Sequence, residues 1–157
     1  MALVCGFIMA EDQLNVEPAI ESAMIKDVDQ IQAEIPPDHL AIQWDVCYEV
    51  VGSDGGPKLP YDNIIPGTVE RLARLCGSID DRVELVIHLC YGDPGHQHIV
   101  DPVDLGTSVE FANNICAASP RIINAVHMPV MRNRTDEAYF KPLKNLDIPK
   151  IKGNYVR

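Results

Sequence analysis

Cations are scarce in this chain: 13 Lys and Arg stand against 23 Asp and Glu, a formal net charge of -10. Phosphate backbones are gripped by clustered Lys and Arg, so no nucleic-acid partner is expected. The local exception is Lys141, Lys144, Lys150, Lys152 and Arg157, and residues 148–157 read as a solvated basic tail. No stretch approaches the ~18 apolar residues that a membrane-crossing helix needs. Nor is there a basic segment closing on small residues, so no membrane partner and no export are expected; residues 1–8 are apolar but too short for either. A disulfide pattern is missing as well. Cys5, Cys47, Cys76, Cys90 and Cys116 are odd in number and irregularly spaced, which fits reduced thiols in the cytoplasm.

What is present suits one domain with a real core: 157 residues, 46% of them apolar. Residues 2–8, rich in Val, Leu, Ile and Phe, read as a first buried strand. A helix is expected over residues 16–34, with Pro18 in its first turn and Ile20, Met24, Val28, Ile31 and Ile35 as an apolar stripe, ended by Pro36-Pro37. Residues 40–46 form the second strand, and 52–63, with Gly55, Gly56, Pro57 and Pro60, a long loop. Pro66 opens a helix that stops at Gly77. Residues 83–89 make the third strand. A helix starting at Asp104 or Thr107 and a fourth strand over 121–127 follow, then a short helical stretch within 136–146, cut by Pro142. Strands alternating with helices imply a parallel sheet with right-handed crossovers.

Three of these strands end in polar groups: Ile42-Gln43-Trp44-Asp45, then His88-Leu89-Cys90-Tyr91-Gly92-Asp93, then a run ending at His127 and followed by Arg132. His88 and Cys90, two apart on a strand, face the same side. In this order the motifs resemble the C-terminal catalytic barrel of cobalamin-independent methionine synthases, a superfamily shared with uroporphyrinogen decarboxylases. The likeness spans residues 1–147. It implies an α/β fold of parallel β/α units, four strands with flanking helices, forming half of a TIM barrel. It also implies that Asp45 holds a substrate and that His88 and Cys90 are zinc ligands. The departures are in the metal set. The family's third ligand is a glutamate where this chain has His127. Its fourth is a cysteine, and residues 135–157 contain neither cysteine nor histidine.

Ligands of such sheets sit at the C-terminal strand ends. The rim there gathers Asp45, His88 and His127 as catalytic candidates, with Trp44, Cys47, Glu49, Tyr91, Met131, Arg132 and Arg134 as substrate-binding candidates. The leading expectation is a repurposed small-molecule enzyme that isomerises, eliminates or cyclises by orientation and proton transfer, with no cofactor. A zinc-dependent methyltransferase acting on a thiol is the alternative, with zinc on His88 and Cys90. A non-catalytic half-barrel subunit is the third. Four strands leave open edges and barrel-facing side chains from Val4, Ile42 and Val86 without cover, so a homodimer is expected.

Overall fold

Ile42, Trp44 and Val46 alternate with Ala41, Gln43 and Asp45, and this period of two is realised as strand β1 (Ala41–Val46), the first group buried and the second exposed. The computed structural model, which describes residues 2–148, places it in a three-stranded parallel sheet with β2 (Glu84–Leu89) and β3 (Ala125–His127), in the order β1-β2-β3. The register aligns Asp45 with His88 and His88 with His127. Helices α1 (Ala2–Phe7), α2 (Gln13–Glu34), α3 (Tyr48–Ser53), α4 (Ile64–Gly77), α5 (Gly106–Ala118) and α6 (Glu137–Phe140) complete a mixed α/β fold.

The core lies on one side of the sheet. Ile42, Trp44, Val46, Leu85, Ile87, Leu89 and Val126 pack with Leu72 and Cys76 of α4 and with Val109, Phe111, Ala112 and Ile115 of α5. Helix α2 is tied to α4 by two forked ion pairs. Arg71 meets Glu17 through both carboxylate oxygens, and Arg74 meets Glu21 at 2.7 and 2.8 Å.

Residues 2–8 are not a strand. They form α1 and its last turn, with Ile8 N–H donating to Val4 C=O at 3.1 Å. A short apolar run has no period that separates a strand from a buried helix, and here Val4 is buried while Phe7 and Met9 are exposed. Helix α2 starts at Gln13, so Pro18 falls in its second turn rather than its first. The expected loop at 52–63 begins inside α3.

The strand expected over 121–127 pairs only from Ala125, because side chains occupy the positions before it. Asn124 receives Leu85 N–H on Oδ1 at 2.9 Å and gives its own N–H to Leu85 C=O at 2.8 Å. Arg121, its side chain only 5% exposed, donates to the carbonyls of Asp80 and Val83 at 2.6 Å each. Of the expected basic tail, only Ile148 falls within the described residues, and it packs on the core.

The second face of the sheet differs from expectation too. Ile42 points into the helices and Val4 is buried on α1, so neither is an uncovered barrel-facing group. Gln43, Asp45, Glu84 and His127 are exposed there, with Val86 and His88 half-buried. The open face is mainly polar.

Candidate functional site

Strand alternation puts Asp45, His88 and His127 side by side on that open face, one from each strand. His88 and His127 touch. Their Nδ1 atoms lie 2.8 Å apart, with ring centroids at 4.6 Å and planes tilted by 35°. One Nδ1 must carry a hydrogen and the other a lone pair. Asp45 accepts a hydrogen bond from Gln43 Nε2 at 2.8 Å, a partner on its own strand and face.

The next residues toward the rim are Cys47 and Cys90. Cys90 N–H donates to Val46 C=O at 3.2 Å, carrying the parallel pairing one step past both strand ends. The two thiols are half-buried and adjoin each other. Donation from Cys47 and from the Gly92 N–H pulls the Cys90 thiol down to about 6, while the same contact and burial push Cys47 up. Gly92 has φ of +68°, and a Cβ there would stand 3.3 Å from Cys47 Sγ, so a glycine serves both the turn and the cysteine pair.

The remaining candidates lie elsewhere. Trp44 is on the covered face, its buried Nε1 without a partner among the described residues. Glu49 is buried in the first turn of α3. Tyr91 is buried, and its hydroxyl donates to Asp54, whose other oxygen accepts from Thr107 Oγ1 at 2.6 Å. That burial and the adjacent carboxylate raise the phenol above its ordinary range. Met131 is a core residue. Arg134 binds Asp136 at 2.7 Å and Val103 C=O at 3.0 Å and lies over the Tyr139 ring at 4.6 Å. Arg132 is exposed in a turn. Thus Asp45, Cys47, His88, Cys90 and His127 come together, Trp44 and Glu49 line a separate cavity, and Tyr91, Met131 and Arg134 are engaged in the core or in contacts of their own.

Among the described residues no group of three or more His, Cys, Asp or Glu side chains converges as a metal site, and the two imidazoles direct Nδ1 at each other. A cavity of about 350 Å³ opens along β1, an edge strand, lined by residues of both its faces, Gln43 and Asp45 with Trp44 and Val46, and by Met24 and Arg71. Of the histidines and cysteines of the rim, none lines it; Asp45 does. No helix of the described residues is long and apolar enough to cross a membrane.

Sequence reasoning did not single out Gln43, Asp54, Arg121 or Asn124. Asn124 carried a usable signal, since a lone amide inside an apolar run must find a partner when buried. Asp54 carried none, because it lies far in sequence from Tyr91 and Thr107.

No protein family, no curated protein and no solved structure matches this chain. The likeness to methionine synthases therefore rests on its short motifs alone.

Proposed function

We propose that the chain is a small-molecule enzyme of the isomerase type, moving a proton between two atoms of its substrate on the open sheet face. The observation that carries this reading is the 2.8 Å contact between His88 Nδ1 and His127 Nδ1. If His88 donates, its Nε2 is a bare lone pair and His127 Nε2 bears a hydrogen, so one ring is a base and the other an acid. His88 Nε2 takes a proton from substrate, its Nδ1 hydrogen passes to His127 Nδ1, and the His127 Nε2 hydrogen goes to a second substrate atom. The substrate leaves as an isomer. The pair is left in its opposite tautomer, and exchange with water at the exposed His127 ring resets it. Asp45, in register beside His88, orients the substrate or stabilises positive charge on the pair.

A site on an uncovered sheet face needs a lid to exclude water, and a second copy of the chain is the proposed cover; sedimentation at micromolar concentration tests it. The central experiment is melting of His88→Ala, His127→Ala and Asp45→Asn beside a ligand screen against extracts of the source cell. Unchanged melting with lost ligand binding supports the acid/base site. Lowered melting in both histidine variants, with no ligand retained by the unaltered chain, overturns it in favour of a structural pair.

A further inference from the structure

Cys47 and Cys90 have no part in the proton transfer just described, yet no other pair of cysteines is set as they are. They occupy facing positions one step beyond the last paired residues Val46 and Leu89, so both side chains project from neighbouring strands at the same level. The two thiols adjoin, and each residue retains partial exposure. Neighbouring parallel strands run ~4.8 Å apart, which lies inside the Cα separation range of ~4.4–6.8 Å that a disulfide spans. Of the other three, Cys76 on α4 is fully buried and neighbours Cys116 of α5, two helical residues set in the core, while Cys5 lies on α1.

We infer that Cys47 and Cys90 form a dithiol centre that exchanges with low-molecular-weight disulfides, closing reversibly into an intramolecular disulfide across the ends of β1 and β2. The Cys90 sulfur, held beside Cys47 and the Gly92 turn, is the attacking atom. Its thiolate bonds to one sulfur of the small disulfide, the S–S bond breaks, and one small thiolate departs and takes up a proton. Cys47 then loses its proton to water and attacks Cys90 Sγ, expelling the second small thiolate. The chain is oxidised by two electrons and one disulfide is reduced to two thiols. Excess small thiol runs both steps backward. The centre does not depend on the histidine reading, and Gly92 keeps the space beside Cys47 Sγ open for it.

The test treats the full reduced chain with oxidised glutathione, quenches with acid, alkylates the remaining thiols and maps them by mass spectrometry. The expected product has lost two hydrogens, carries no glutathione, shows Cys47 and Cys90 joined in fragment spectra, and reverts fully with dithiothreitol. Cys47→Ser should instead hold one glutathione on position 90, and Cys90→Ser should react at least tenfold more slowly at Cys47. A cross-link through Cys5, Cys76 or Cys116, or stable glutathione adducts on the unaltered chain with no internal bond, overturns the inference. The mapping on the unaltered chain decides the matter even where a serine variant fails to fold.

Discussion

The two faces of one sheet carry opposite assignments in this protein. On one, Ile42, Trp44, Val46, Leu85, Ile87, Leu89 and Val126 are buried against α4 and α5. On the other, separated from them by a single residue step, stand Gln43, Asp45, His88 and His127. Full burial of one aliphatic side chain contributes about 1.5–3 kcal/mol. An exposed polar pair contributes about 1 kcal/mol or less. Stability is therefore concentrated on the first face, and the second is free to bear groups chosen for reactivity. A mutation's cost should depend on which side of the pleat it falls, more than on its distance along the chain.

That comparison breaks or sharpens at neighbouring positions. Leu85→Ala should cost about 2–5 kcal/mol in urea denaturation, because Leu85 is wholly buried and its truncation leaves a cavity in the core. Val86→Ala, one residue on and facing the other way, should cost under about 1 kcal/mol. Equal losses at both positions would mean that Val86 carries as much packing as Leu85 and that stability is not concentrated on one face. Next in size is Arg121→Met, which removes two donors from the part-buried carbonyls of Asp80 and Val83 just before β2; about 1–3 kcal/mol should disappear.

Smaller again, Asp45→Asn and His127→Ala should each shift stability by no more than about 0.5 kcal/mol. A larger loss in either would assign the open face to folding rather than to chemistry. The smallest effect is one of pH. Arg134 and the Tyr139 N–H hold the Asp136 carboxyl down to about 2, below its unfolded value near ~3.9. Its contribution is thus complete above pH ~4 and fades as the pH falls toward 2. In Asp136→Asn the acid limb of the stability profile should be shallower over that interval, as followed by fluorescence.

Where a single period governs, the sequence was readable. The strands expected over 40–46 and 83–89 are β1 and β2 to within a residue, and the helix expected between Pro66 and Gly77 is α4, two residues longer at its start. The rim was legible in part, since Asp45, His88 and His127 were expected at strand ends and do align. Their direct imidazole contact was not, because it depends on the register between strands that are distant in sequence. Residues 2–8 misled for a different reason: Val, Leu and Phe favour a strand only where a pairing edge is available, and α1 forms instead. Tyr91 and Met131 resembled rim residues by position, but the chain turns after each strand and carries both inward.

All three strands run the same way, and each pairing joins consecutive strands across a helical crossover rather than a tight hairpin. During synthesis β1 must wait, without its partner, until α3 and α4 have been made and Glu84–Leu89 has emerged. The central strand is thus the gatekeeper of assembly: until it arrives there is no sheet at all, and β3 can only be added after it. Every pairing closes a long loop before it returns any contact energy, so folding should be slow for a chain of this size and at its most vulnerable to aggregation while β1 is still alone.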